Sequence, residues 1–303
     1  MSHDIYKLIC QKPKDCKRLM GVNFEQLEEL IEHCKRLHQI KQEEIENQKK
    51  RVIRAGGGQS PILTLENQII LTLLYLRHYL TFQLLGLMFH VSESTAHNVF
   101  NYWQILLEEG LSPSLLEQVK KYPEAGAETL AKLVNQELVI DSTEQVIERP
   151  SSYQEQKRTY SGKRKNFTLK NQLIVSPVTL DIIDVVVGMP GRISDISIWR
   201  NSRTRFTLEQ FFMGDKAYVG ERQIKTPTKK PKNGELTRQE KEDNKSFSAR
   251  RIIVEHLIRF VKIFRIMQER FRLPISRYDS IFLTVCGLVR LRLGCLELRL
   301  VKH

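Results

Sequence analysis

Residues 136–147 read QELVIDSTEQVI, an apolar run, Leu138, Val139 and Ile140, that ends on a carboxylate at Asp141. β-Branched and aliphatic residues packed this densely predict a buried strand. A carboxylate at the end of such a strand is costly unless it is paired or bound to a cation. A second stretch repeats the arrangement: in FFMGDKAYVG (211–220), Phe211, Phe212 and Met213 lead to Asp215, with Gly214 opening the strand. Two strand tips that each carry a carboxylate make a natural cation cage.

Working outward, NFTLKNQLIVS (166–176) and IIDVVVGMPG (182–191) predict two further strands. SFSARRIIVEHLIRFVKIFRIM (246–267) predicts an amphipathic helix. On it Arg251, Glu255, Arg259 and Lys262 form one polar stripe, opposite Ile253, Leu257, Phe260, Val261 and Phe264. The order is strand, strand, strand, short helix, strand, long helix, which predicts an α/β domain with a mixed sheet. Between the last strand and the long helix, residues 221–246 are polar and basic, with Lys229, Lys230, Pro231 and Lys232, and read as an exposed loop.

The N-terminal half has a different texture. Residues 24–54 read as a long polar helix, broken by RAGGGQSP (54–61), a joint flanked by Arg51 and Arg54. Thr64 then caps LENQIILTLLYLRHYL, and two shorter helices follow in TFQLLGLMFHV and SESTAHNVFNYWQILLEEG. The second and third, joined by a turn at His90 and Val91 and capped by Ser92, form a helix-turn-helix pattern. His90 takes a turn position that often holds glycine. Leu84, Leu85, Met88, Val91, Ala96 and Val99 are expected to knit the pair together. Ser94, Thr95, His97 and Asn98 are expected to face outward, where a recognition helix reaches bases or phosphates. Residues 111–136 read as mixed and mostly helical. The domain plan is thus an N-terminal helical region and joint (1–58), a helix-turn-helix domain (59–135) and the α/β domain (136–303).

Composition narrows the partners. The 303 residues include 48 Lys and Arg against 35 Asp and Glu, a net charge of +13. A field that positive attracts polyanions, nucleic acid first. No apolar run approaches the ~20 residues of a membrane helix, and MSHDIYKLICQK lacks the apolar core of a signal peptide. The five cysteines have no metal-site spacing. The expectation is a cytoplasmic, nucleoid-associated protein with no membrane partner. Taken singly, Asp141 and Asp215 also read as turn-capping aspartates, and Glu255 as part of a solvated face with an i, i+4 ion pair.

Their fixed order is more specific than any one of them. LTLENQIILTLLYLRHYLTFQLLGLMFHVSESTAHNVF (63–100), VIDSTE (139–144), YSGKRKNFTLKNQLIV (160–175), VVVGMPGRISDISIWRNS (185–202), FFMGDKAYVG (211–220), TPTKKPKNGELT (226–237) and RRIIVEHLIRFVKIFRI (250–266) together resemble the DDE transposases of bacterial insertion sequences, and more distantly Harbinger-type elements. The resemblance runs from about residue 20 to about residue 295. It implies a ribonuclease H-like catalytic domain behind an all-helical helix-turn-helix domain. It also implies a catalytic and metal-binding triad of Asp141, Asp215 and Glu255. Arg251, Glu255 and Lys262 match the spacing of a tyrosine, arginine, glutamate, lysine signature, whereas Ser248 stands at the tyrosine position. Asp195, in GMPGRISDISIW, is the rival second acid, expected to cap the following helix.

An all-carboxylate site suits Mg²⁺, with Mn²⁺ as a substitute, and a pair of ions serves both sides of a displacement at phosphorus. Lys163, Arg164, Lys165, Arg251, Lys262 and the lysines at 229–232 are the candidate phosphate contacts. The partners implied are transposon-end and target DNA and further copies of the chain. The alternative reading is a domesticated relative that binds DNA without cutting it.

Overall fold

The computed structural model describes residues 4–48, 61–123, 133–134 and 136–298. The glycine-rich joint with Arg51 and Arg54, and most of the stretch 124–135, lie outside the described residues. The chain divides into two compact units, 1–112 with 264–266 and 287–303, and 113–263 with 267–286.

The first unit is helical: α1 (Ile5–Gln11), α2 (Cys16–Met20), α3 (Phe24–Gln48), α4 (Leu65–His78), α5 (Phe82–Phe89) and α6 (Glu93–Gly110). Short polar side chains start the last three. Thr64 accepts the Asn67 N–H, Thr81 the Leu84 N–H and Ser92 the Thr95 N–H, which satisfies donors that a helix N-terminus leaves unpaired. The α5–α6 turn closes through His90 in the left-handed conformation at φ 54°, the conformation that makes glycine common there.

Packing between α5 and α6 departs from the expectation. Leu85, Phe89, Ala96 and Phe100 are buried, whereas Leu84 and Met88 are exposed and Val91 and Val99 half-buried. Leu85 and Phe89 are four residues apart and share a face with Gly86, which lies against the Val91 carbonyl. Leu84 and Met88, one step around the helix, point away. Tyr75, Phe82 and Phe100 cluster with centroids 4.3–5.5 Å apart, Tyr75 stacked on Phe82 and Phe100 tilted against both.

The second unit is built on a mixed sheet. Its strands are β1 (Leu138–Val146), β2 (Tyr160–Ser161), β3 (Asn166–Val175), β4 (Ile182–Pro190), β5 (Phe212–Met213) and β6 (Ile224–Lys225). β3 runs antiparallel to both β1 and β4, β5 runs parallel to β1, and β6 parallel to β5. The order across the sheet is β4-β3-β1-β5-β6, with β2 on the start of β3. Three antiparallel strands followed by two parallel ones, with β1 in the centre, form a ribonuclease H-like sheet. α7 (Leu115–Lys121), α8 (Tyr153–Thr159) and α9 (Asp195–Ser202) occupy the connections. α10 (Arg238–Lys262) packs Phe247, Val254, Leu257 and Val261 inward. α11 (Tyr278–Arg292) follows, its residues up to Cys286 belonging to this unit. A core of Leu138, Ile140, Ile174, Ile183, Trp199 and Phe212 lies on one face of the sheet.

Two sequence expectations change here. Residues 221–246 are not one loop, because β6 adds a strand and α10 begins at Arg238. The cause is a capping box: the Thr237 side chain accepts the Glu240 N–H while the Glu240 carboxylate accepts the Thr237 N–H. This satisfies two end donors at once and starts the helix in a segment that its charge marks as loop. α8 and β2 are the other additions.

Phe212 is fully buried between Trp199, at 4.5 Å, and Phe206, at 5.1 Å. Phe212→Ala is expected to lower the unfolding free energy by about 3–5 kcal/mol, measured by urea denaturation followed by tryptophan fluorescence.

Candidate active site

Asp141 lies on the central strand, opposite Leu173 of β3 and two residues beyond the β1–β5 pairing. Its Oδ1 accepts the Ser142 N–H at 2.8 Å, and its Oδ2 lies 3.6 Å from the Arg251 guanidinium of α10. The carboxyl is pushed up to about 6. Burial is the main cause. The Ser142 N–H and Arg251 pull the other way, and Asp215 and Asp195 push it further up. Both aspartates are therefore within electrostatic reach of Asp141. One guanidinium and one amide do not compensate the buried charge.

Asp215 follows β5 and caps a short 3₁₀ turn, Lys216–Tyr218, its Oδ1 accepting the Ala217 N–H at 2.8 Å. Its Oδ2 has no hydrogen bond among the described residues. Gly214 before it lies tightly against Tyr218 and Ile224, so a side chain there would clash.

Asp195 does not cap α9. Ser194 does, accepting the Ser197 N–H. Asp195 instead pairs with Lys170 at 2.9 Å. Lys170 is 7% exposed, on β3 directly across from Glu144 of β1, and it donates to the Ile193 carbonyl at 2.7 Å. Glu144 is 3.8 Å from Lys170 and accepts the Thr168 hydroxyl. A buried lysine needs such partners, and this one occupies the rival acid. Gln172, two residues on, donates to the Tyr218 hydroxyl and the Asp195 carbonyl. Tyr218 also bonds Ser142, next to Asp141. Lys170, Gln172 and Tyr218 were missed from sequence. For the two on β3 the available signal was LKNQ (169–172), three polar residues in an otherwise apolar strand, which a buried strand tolerates only when each is paired.

Glu255 is exposed and makes no hydrogen bond or ion pair among the described residues. It lies on the α10 stripe between Arg251 and Lys262. Arg251 reaches Asp141 directly. Lys262 is lowered, mainly by burial and then by Arg164, with Asp141 opposing. Among the described residues no three His, Cys, Asp or Glu side chains converge closely enough to hold a metal ion. Even so, the donor set is carboxylate oxygen, and the uncompensated burial of Asp141 fits a hard divalent cation.

The basic residues fall in two places. Lys163, Arg164 and Lys165 are exposed in the β2–β3 hairpin, and Lys229, Lys230 and Lys232 in the segment before α10. In the helical unit, Ser94, His97 and Asn98 are exposed at the start of α6. Thr95 is not: its hydroxyl bonds Ser92 at 2.8 Å and belongs to the cap.

The sheet order, three antiparallel strands followed by two parallel ones with β1 at the centre, defines a ribonuclease H-like fold. A family model described as DDE superfamily endonuclease matches residues 140–290, and one described as helix-turn-helix of DDE superfamily endonuclease matches 62–113. A probable transposase for insertion sequence element IS702 of Microchaete diplosiphon is 35% identical over 222 residues, 71% of this chain and 76% of that one. The chain belongs to the DDE-type insertion-sequence transposases. Two solved Mos1 transposase structures, a paired-end complex with the left transposon end and a pre-cleavage transpososome, are also similar. They are 10% and 9% identical at TM-scores of 0.20 and 0.18, each covering 81% of this chain and 85% of that one. No helix among the described residues is long and apolar enough to cross a membrane.

A carboxyl raised in the folded protein destabilises it above the folded pKa, and that cost disappears as pH falls below the unfolded value near 3.8. In the presence of chelator, Asp141→Asn is therefore expected to raise the unfolding free energy at pH 7.5 by up to about 3 kcal/mol. The gain should vanish towards pH 4, as read from paired denaturation curves.

Proposed function

We propose that this protein binds the ends of its mobile element through the helix-turn-helix and cuts and joins DNA strands at Asp141, Asp215 and Glu255. The observation that carries the reading is the desolvated Asp141 carboxylate on the central strand, with Asp215 within electrostatic reach and the α10 stripe of Arg251, Glu255 and Lys262 alongside. Carboxylates gathered at this cost serve a cation better than they serve the fold.

Asp141, Asp215 and Glu255 would hold Mg²⁺, two ions in our reading, with Mn²⁺ as a substitute. When bound, the metal supplies the Lewis acidity that activates a water and takes up charge on the leaving oxygen. The rest belongs to the chain. Asp141 anchors the site from the rigid centre of the sheet. Arg251 offsets part of its charge before the metal arrives. Lys170 keeps Asp195 engaged, which favours Asp215 as the second ligand. Lys262 and the hairpin cations Lys163, Arg164 and Lys165 hold the DNA backbone beside the acids. Ser94, His97 and Asn98 contact the transposon end. Handling two ends together calls for a homo-oligomer.

The test uses purified protein, labelled transposon-end duplex and MgCl₂. Wild type nicks or joins the ends, with affinity falling steeply as salt rises. Asp141→Ala still binds but loses at least about a thousandfold in cleavage, the several kcal/mol that metal assistance supplies. Cleavage that survives Asp141→Ala overturns the site.

A further inference from the structure

Away from the acids, α8 and β2 present Tyr153, Gln156, Lys157 and Tyr160 to one shallow cavity of about 470 Å³. Tyr153, Gln156 and Lys157 share one face of α8 at i, i+3 and i+4, and Tyr160 is the extended residue that opens β2. Gly162, Phe167 at the start of β3 and Arg192 just after β4 complete the lining. Tyr153 is 79% exposed and Tyr160 45%. Large rings left this open in a cluster are unusual and signify a binding surface more often than a lone exposed ring does.

Two of the rings are in contact. Phe167 meets Tyr160 at 5.8 Å and 70°, and the Arg149 guanidinium lies 5.9 Å over the Phe167 ring. The charge is of one sign, since Lys157 and Arg192 are the only charged residues of the lining. Nearby Glu155 is neutralised by Arg158 at 2.7 Å. Lys163, Arg164 and Lys165 adjoin in the hairpin that joins β2 to β3.

Flat apolar plates among cations match an unpaired nucleic-acid strand. Its bases expose their faces for stacking while its phosphates meet the lysine and arginines. Duplex DNA keeps its base faces covered and would engage the cations alone. The position along the sheet agrees. Asp141 pairs with Leu173 of β3, and Phe167 lies roughly 20 Å back along that strand at ~3.3 Å per residue. The distance suits nucleotides flanking the cut rather than the cut phosphate itself.

We propose that this cavity is a stacking platform for unpaired bases of the DNA strand next to the cleavage site, with Tyr153 and Tyr160 as the stacking residues. The proposal rests on the DNA reading above.

The experiment uses the full chain and three probes: a thymidine 12-mer with a central 2-aminopurine, the same strand with abasic sites, and a duplex of equal length. Wild type is expected to quench the 2-aminopurine and to bind the 12-mer more tightly than its abasic form. Tyr153→Ala with Tyr160→Ala should weaken binding of the 12-mer by about five- to a hundredfold, the 1–3 kcal/mol of a lost stack. Duplex and abasic binding should stay within about twofold, and the corresponding Phe pair should behave as wild type. An alanine pair that binds the 12-mer like wild type, or loses duplex binding equally, overturns the platform. So does an alanine pair that leaves DNA binding intact but abolishes self-association in sedimentation. Wild type that binds none of the probes overturns the DNA reading itself.

Discussion

A carboxylate in the middle of a buried strand is the constraint on which the catalytic unit depends. Asp141 is held by the pairing of β1 with β3 on one side and β5 on the other. Its side chain is only 20% exposed. Burial raises it, and one amide and one guanidinium at 3.6 Å do not compensate. The neighbouring elements answer that charge. α10 brings Arg251 and Lys262 to it, and the turn after β5 sets Asp215 within reach. A fold that carried Asp141 only for stability would do better with an asparagine.

Lys170 is the second element of the arrangement. It crosses β3 towards both Glu144 and Asp195, at 3.8 and 2.9 Å, in a position 7% exposed. Buried charges of this kind are tolerated when they specify an arrangement. Here the arrangement separates two aspartates that are close in sequence pattern. Asp195 is ion-paired with Lys170, its Oδ1 making no hydrogen bond among the described residues, whereas Asp215 has no ion pair there and caps the turn after β5.

The fold was largely legible in the sequence because strand and helix periods are local. Asp215 was readable as a charge closing an apolar strand and the α10 stripe as a 3.6-residue repeat, whereas Asp141, expected at a strand tip, lies inside β1, which continues to Val146 through its pairing with β3. What the sequence concealed depends on partners far along the chain. The Lys170–Glu144 pair is a cross-strand contact that exists only once β1 and β3 are in register. The start of α10 was hidden because a capping box in a basic, proline-bearing segment looks like loop. Leu84 and Met88 read as core because an all-apolar helix such as FQLLGLMF shows no clear inward face. Thr95 and Asp195 were each misread by the same ambiguity, a polar residue at a helix start that either caps the helix or serves something outside it.

The central claim is that the cost of burying Asp141 is relieved by a divalent cation, and proton release on metal binding tests it most directly. A ligand that binds only the carboxylate displaces the proton the acid carries. Calorimetric titration of MgCl₂ into the metal-free protein at pH 6, in buffers of different ionisation heat, counts those protons. With the carboxyl at about 6, about half a proton per protein is expected to be released, falling towards zero at pH 8 and abolished by Asp141→Asn. Metal binding with no proton release at pH 6, or with release unchanged in Asp141→Asn, would contradict the account.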